Sequence, residues 1–184
     1  MPVGVSPTRG KGELAVRMMK VRRVALDQQN NPVVLLVDED ETVALPIWIG
    51  QAEAMAIAMR LQSVQPPRPM THDLLTTVLE QLAAKVTKIV VSDVRDATYF
   101  AEIHLARNGT SFVIDSRPSD AIALALRVEA PIFVEDKVAV QGIALRKQDN
   151  GEGKTEGLEE DLDPQEFRRF LERVKPDDFR RTVH

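Results

Sequence analysis

Cysteine is absent from this chain of 184 residues, aromatic residues are scarce, and no apolar run is long. The absence of cysteine excludes disulfides, thiolate zinc sites and cysteine nucleophiles. No apolar run approaches the roughly 20 residues that a membrane-spanning helix needs. Residues 1–11 also lack the apolar stretch of a secretory signal, so we expect a cytoplasmic protein without membrane contact.

A basic surplus is lacking as well. The net charge is −4, and residues 17–147 hold 15 Lys and Arg against 16 Asp and Glu. Nonspecific coating of nucleic acid relies on surplus positive charge, so a large surface of that kind is disfavoured. A small site in which carboxylates hold a cation that meets phosphate is compatible with this balance.

The short sequence motifs that identify common enzyme classes are also missing. The sequence has no glycine-rich phosphate-binding loop, no His-Glu-x-x-His pair and no nucleophile-elbow serine. Candidate chemistry therefore rests on polar residues at predicted helix starts.

The most informative feature that is present is an internal repeat. Residues 50–61 reappear 67 positions later as residues 117–128, with an acid, three alanines and an arginine kept in place. Such an echo indicates duplicated supersecondary units. It makes Glu53 and Asp120 equivalent positions at two predicted helix starts.

Hydrophobic periodicity and turn residues predict two units, each with three strands and two helices. In the first unit we predict strands at 20–26, 32–37 and 42–49 and helices at 51–62 and 71–85. In the second we predict strands at 88–94, 98–105 and 111–115, a hairpin turn at Asn108-Gly109, a helix at 118–128, a short strand at 131–134 and a small helical segment near 135–140. We expect an α+β fold in which the duplicated units share one strongly curved, barrel-like sheet.

Composition divides the chain into four segments. Residues 1–16 are a predicted flexible arm, 17–147 the folded domain, and 148–162 an acidic linker. In residues 163–184 the apolar positions have helical spacing, which predicts a C-terminal amphipathic helix. We expect this helix to dock on the core, on another subunit or on a protein partner. The repeated units favour a homo-oligomer.

The first polar cluster lies at residues 68–73. His72 and Asp73 could ligate a metal or exchange a proton, and Arg68 could meet a phosphate. The structural alternative is that Thr71 caps a helix and Asp73 offsets its dipole, with His72 a bystander in the first turn.

The second polar cluster lies at residues 115–120. Asp120 could be an oxygen ligand for Mg²⁺ or Mn²⁺, assisted by Ser116 or Ser119. The alternative is again capping, by Ser116 or Arg117, with Asp120 in the first turn.

The internal repeat and the strand pattern indicate four further candidate positions. Glu53 and Asp120 could converge on one cation, or they could offset two helix dipoles independently. Arg60 and Arg127 lie two turns after these acids, and we favour a role in tying helices together over phosphate contact. Trp48 lies between two isoleucines at a strand end, and we expect it in the core; the alternative is a rim position where it stacks on a base.

At these residues the chain resembles a known family. Its segments LPIWIGQAEA (45–54), RPMTHDL (68–74), TYFA (98–101) and SRPSDAIA (116–123) are similar, in order, to motifs of the bifunctional nuclease family, also called the DNase/RNase-specific nuclease domain. The resemblance covers roughly residues 19–141. It implies a compact α+β domain with a duplicated unit, and cleavage of both DNA and RNA. Matched by motif, the implied site residues are Glu53, Arg68, Thr71, His72, Asp73, Arg117, Ser119 and Asp120.

The leading hypothesis is metal-assisted phosphodiester hydrolysis of DNA and RNA without sequence preference. Asp120, Asp73 and Glu53 are the predicted ligands of Mg²⁺ or Mn²⁺, and His72 is the predicted general base or a further ligand. Arg68 and Arg117 are expected to stabilise charge on the phosphoryl oxygens, with Thr71 and Ser119 as further substrate contacts. The alternative is a non-catalytic regulatory module that binds an anion or small ligand at helix N-termini, oligomerises and recruits a partner.

Overall fold

A computed structural model describes residues 15–27 and 29–144, which form one eight-stranded sheet and four helices. The strands are β1 (Val16–Leu26), β2 (Pro32–Asp38), β3 (Val43–Trp48), β4 (Lys85–Arg95), β5 (Thr98–Arg107), β6 (Thr110–Ser116), β7 (Ile132–Glu135) and β8 (Ile143–Ala144). The helices are α1 (Gln51–Leu61), α2 (Thr71–Gln81), α3 (Pro118–Val128) and α4 (Asp136–Ala139). The predicted α+β class is confirmed.

The sheet has the order β6-β5-β4-β7-β1-β2-β3-β8. Strands β1–β3 and β4–β6 are two antiparallel meanders, and β7 lies between them, antiparallel to β1 and parallel to β4. Because β7 joins the two meanders at the centre, β6 and β8 are left as opposite edges. The sheet is therefore open, and the predicted barrel-like closure is not found among the described residues.

Local sequence explains the turns of the second meander. Asn108 and Gly109 connect β5 to β6 with φ angles of 50° and 76°. Two successive positive φ angles are what a tight two-residue hairpin turn requires, and Asn-Gly adopts them readily. The hairpin predicted at this dipeptide is therefore confirmed.

Three of the helices bring their N-termini to the same side of the core. Helix α1 packs against β1 and β2, and α3 packs against β4 and β5. The two helices also contact each other, and α2 packs on α3. Their buried side chains, including Ile57, Ile122 and Leu124, lock this arrangement because their removal from water is favourable. The helix starts that carry the predicted site residues are thus held rigidly.

The order of elements in β1-β2-β3-α1 recurs in β4-β5-β6-α3. The second unit is not followed directly by another helix, since β7 precedes the single turn of α4. Duplication itself stays a prediction.

The predicted division of the chain into four segments stays a prediction. Val16 was assigned to the arm but begins β1. The rest of the arm up to residue 14, the acidic linker at 148–162 and the amphipathic helix at 163–184 lie outside the described residues. Within residues 15–27 and 29–144, no helix combines the length and the apolar character that crossing a bilayer requires.

Candidate functional site

Arg117 connects the starts of α1 and α3. Its Nη2 donates to Glu53 Oε1 at 2.8 Å, and its Nε donates to Asp120 Oδ2 at 2.7 Å. Glu53 lies in the first turn of α1 and Asp120 in the first turn of α3. The two acids that the repeat made equivalent therefore do share one space, but a guanidinium lies between them.

Glycine at position 50 makes this bridge possible. Gly50 precedes α1, and a Cβ atom there would overlap the Glu53 carboxylate. The carboxylate therefore folds back over the glycine. A larger residue would push Glu53 aside and break its bond to Arg117.

His72 approaches the same cluster from α2. Its Nε2 lies 3.2 Å from Asp120 Oδ1, and its side chain is only 10% exposed. Because a carboxylate can only accept, His72 donates from Nε2 in this contact, which leaves Nδ1 as the proton acceptor of the neutral ring. His72, Asp120, Arg117 and Glu53 thus form one continuous polar network, which we call the Arg117 network.

Asp73 points to a different partner. Its Oδ1 accepts from Arg127 Nε at 2.5 Å, and its Oδ2 accepts from the Met70 N–H at 2.8 Å. Met70, not the predicted Thr71, is the N-cap of α2. Asp73 therefore offsets the positive end of α2, as the structural alternative proposed.

Arg127 and Arg60 tie the helices together, as favoured from sequence. The Arg127 side chain, 9% exposed, donates from Nη1 to Ala123 O in its own helix and to Ala56 O in α1. Arg60 Nε donates to Leu126 O across the same helix pair. Both arginines satisfy backbone carbonyls, so their contacts are structural.

Four of the eight predicted site residues line two clefts, whereas Glu53, Thr71, His72 and Asp120 line neither of them. Arg68 and Asp73 line a cleft of about 390 Å³ together with Arg60 and Arg127. Arg117 and the buried Ser119 line another of about 490 Å³, which we call the aromatic crevice. Thr71 is exposed as the first residue of α2.

Trp48 lies at the aromatic crevice, so the prediction that it is a core residue was wrong. The residue is 55% exposed, and its indole Nε1 donates to Asp27 Oδ2 at 2.9 Å. It is the last residue of β3, where the strand leaves the packed part of the sheet. Tyr99, near the start of β5, lines the same crevice.

The electrostatics of both clusters favour the charged forms. Hydrogen bonding to Asp120, reinforced by Glu53, raises the pKa of Arg117 above its usual value. Burial opposes ionisation of Asp73, but the Met70 N–H and the Arg127 guanidinium together lower the pKa of Asp73. The shifts thus favour the charged forms of the Arg117 guanidinium and the Asp73 carboxylate.

The predicted metal ligands do not fit a divalent ion in this arrangement. Glu53 and Asp120 share Arg117, and Asp73 is held by Arg127. Within residues 15–27 and 29–144, no three His, Asp or Glu side chains are grouped as a metal ion would need. A cation at Glu53 and Asp120 would have to displace Arg117, so metal ligation stays a prediction.

The sequence favoured a core position for Trp48 over a rim position that stacks on a base, and it gave Tyr99 no place in the site. Their signal was available in the motifs themselves, since Trp48 ends β3 and Tyr99 is the second residue of β5, each within a segment that resembles the family. Strand alternation alone does not reveal it, because the residue before Trp48, Ile47, is buried and the pattern reads as core.

Known proteins are similar in sequence to the part of the chain that contains these residues. The model of the bifunctional nuclease domain matches residues 34–145. The Mycobacterium tuberculosis protein named "Uncharacterized protein Rv1829" is 39% identical over 171 residues, covering 93% of this chain and 99% of that protein. Bifunctional nuclease 2 of Arabidopsis thaliana is 26% identical over 125 residues, covering 66% of this chain and 38% of that protein.

Bifunctional nuclease 1 of Oryza sativa subsp. indica is 24% identical over 123 residues, covering 65% of this chain and 37% of that protein. The plant relatives therefore share a domain with this chain rather than their whole length. The matched region contains the Arg117 network and every residue that lines the aromatic crevice except Asn31. The chain belongs to the bifunctional nuclease domain family.

Proposed function

We propose that this chain hydrolyses phosphodiester bonds in DNA and RNA, without sequence preference, at the aromatic crevice. The observation that carries the proposal is the Arg117 network, in which a 67% exposed guanidinium is backed by two acids and a histidine. The plant relatives named bifunctional nucleases, matched over the same segments, support it.

Arg117 is suited to hold a phosphate group. Its contacts with Glu53 and Asp120 use two of the five N–H donors of a guanidinium, and three are left for a ligand. Its raised pKa keeps it charged throughout the physiological range. A fixed cation beside the phosphoryl oxygens stabilises the charge that grows there in the transition state.

His72 and Asp120 are suited to move a proton. In the proposed reaction, water attacks phosphorus and one of its protons passes to the His72–Asp120 pair. The bond to the leaving oxygen breaks, that oxygen takes a proton from solvent, and the pair returns to solvent the proton that it accepted. Asp120 is 30% exposed and His72 only 10%, so the carboxylate is the more accessible member of the pair, and Arg117 links it to the crevice. Arg68, Thr71 and Ser119 stay proposed substrate contacts.

The test is cleavage of labelled single-stranded DNA and RNA by purified protein. We expect Arg117→Ala to slow cleavage about 10²–10³-fold, as the loss of one charge-stabilising donor does elsewhere. His72→Ala is expected to slow it about 10²–10⁴-fold, the range for a lost general acid or base. Arg117→Lys keeps the charge but not the two-pronged geometry, and should be impaired as well.

Arg107→Ala is the matched control, because Arg107 is an exposed arginine at the far end of β5. Its activity should equal that of the wild type. Unchanged cleavage by both Arg117→Ala and His72→Ala would sink the proposal. Parallel reactions with Mg²⁺, Mn²⁺ or chelator show whether a cation is needed.

A second candidate function is a non-catalytic module that binds an anion. It is favoured by the pairing of Glu53, Asp120 and Asp73 with arginines, which leaves the acids poorly placed for metal chemistry. Binding of oligonucleotides without cleavage under any cation condition would select this alternative.

A further inference from the structure

The aromatic crevice has a feature that phosphate binding does not need. Trp48, the only tryptophan of the chain, stands 55% exposed on its wall. An exposed indole gives up the stabilisation that burial of its large apolar surface would bring. Its position therefore calls for a ligand that covers it.

The indole is held in place. Its N–H donates to Asp27 Oδ2, while Asp27 Oδ1 accepts from the N–H groups of Gln29 and Asn31 at 2.8 Å each. These bonds hold the Asp27 carboxylate against Gln29 and Asn31 and, through Asp27, restrain the indole ring. A fixed aromatic face binds at a lower entropic cost than a mobile one.

The opposite meander contributes a second aromatic ring. Tyr99 belongs to β5, and it lines the crevice together with Trp48 and Arg117. Burial raises the pKa of the Tyr99 phenol, so the ring stays neutral. Flat neutral rings beside a cation are the combination that binds bases and backbone of single strands.

We propose that Trp48 and Tyr99 form a stacking site for an unpaired nucleobase, which makes single-stranded nucleic acid the substrate class. This inference rests on the proposed function, because Arg117 is taken to hold the adjoining phosphate. The crevice volume of about 490 Å³ falls within the range of about 300–1,000 Å³ that small-ligand sites occupy. Bases inside a duplex are already stacked and do not present a free face to these rings.

The test compares two single strands of about 12 nucleotides, a length within the site sizes of known single-strand binders. One is oligothymidylate, and the other carries abasic sites throughout its central part. Wild-type protein should bind the first more tightly, and its Trp48 fluorescence should be quenched by the first and unchanged by the second. Equal quenching by both strands would overturn the inference.

Variants test whether Trp48 causes the difference in affinity between the two strands. Trp48→Ala should weaken binding of oligothymidylate about 5- to 100-fold and leave binding of the abasic strand unchanged. Trp48→Phe keeps a flat ring and should retain most of the affinity. Leu74→Ala, which removes an exposed apolar side chain from α2, is the control and should bind both strands as the wild type does. A Trp48→Ala protein that distinguishes the two strands as well as the wild type contradicts the proposal.

The outcome separates this inference from the proposed function. Binding is read by anisotropy and quenching, and integrity of the strand by gel, from the same samples. Base-dependent quenching with an intact strand supports the stacking site and counts against catalysis. Cleavage that depends neither on the bases nor on Trp48 supports catalysis and counts against the stacking site.

Discussion

Asp27 shows how a single surface carboxylate can hold a ligand-facing side chain. It accepts hydrogen bonds from Asn31, Trp48 and Gln29, with the Asn31 backbone bond the largest contribution. Together they lower the pKa of Asp27 from 3.8 to about 2. A depressed carboxyl pKa means that the ionised form stabilises the fold, so its contribution depends on pH.

The sign of this dependence gives a prediction. The contribution of Asp27 should be complete above pH 3.8 and should vanish as the pH falls towards about 2. Asp27→Asn should therefore be less stable than wild type near neutral pH, with a gap that closes in acid. Urea unfolding followed by Trp48 fluorescence at a series of pH values measures it. A gap that is constant across the series contradicts the assignment.

Residue-level prediction from sequence reached some positions and missed others for physical reasons. The repeat identified Glu53 and Asp120 as a pair. It did not show that Arg117 binds both acids, because Arg117 and Glu53 lie 64 residues apart and no local pattern encodes such a contact. The same holds for Arg127, whose partner Asp73 is 54 residues away. Side-chain types were readable, whereas their pairing depended on how the helices pack.

Element by element, prediction from sequence succeeded where signals are local. The start of α3 at Pro118 and the Asn108-Gly109 hairpin both follow from short-range backbone preferences. The predicted β1 begins four residues late, because Val16–Met19 pair with β7, more than 100 residues further on, and only Met19 of these also pairs with β2. Barrel closure failed for a similar reason, since the central place of β7 is set by long-range pairing.

The turn between β4 and β5 carries backbone strain beside the aromatic crevice. Asp96 and Ala97 have φ angles of 48° and 60°, and Ala97 lines the crevice next to Tyr99. Aspartate tolerates the left-handed region, but alanine, with a Cβ and no polar group, does not. The turn is thus stabilised by the strands that it joins rather than by its own sequence.

Relief of this strain is testable. Ala97→Gly should raise the free energy of unfolding by about 1 kcal/mol, because glycine adopts positive φ without a Cβ clash. Ala106→Gly, in the extended part of β5, is the matched control and should lower it by about 0.5–1 kcal/mol. Urea denaturation of both variants measures the two effects. An Ala97→Gly protein less stable than wild type would show that the turn is unstrained.

At the scale of the whole molecule, the sheet formed by residues 15–27 and 29–144 ends at β6, whose outer edge pairs with no other strand of this part of the chain. Residues Thr110–Asp115 of β6 are all exposed, including Phe112, Val113 and Ile114. The strand pairs regularly with β5 on one side and contains no proline, lysine or bulge, the devices that usually protect an edge. An apolar edge of this kind favours pairing with a second copy of the chain.

The homo-oligomer thus stays a prediction, now with a specific surface. Two β6 strands that pair antiparallel about Val113 place Phe112 opposite Ile114 and Ser111 opposite Asp115, so no like charges meet. We expect a symmetric dimer.

Val113→Lys sets two lysines face to face and should give a monomer. Val140→Lys, an equally drastic change at an exposed site after α4, should not. Sedimentation analysis measures the oligomeric state of each protein. A wild-type protein that is monomeric at every concentration would refute pairing through β6.

The central position of β7 also constrains synthesis. A ribosome that has released residues 1–128 has produced both meanders and their helices, yet the strand that joins β1 to β4 has still to emerge. Until Ile132–Glu135 is available, two inner strands expose unpaired backbone to any passing neighbour. The nascent chain is therefore most vulnerable to misassembly just before its last few strands appear, and rapid translation of this stretch favours correct folding.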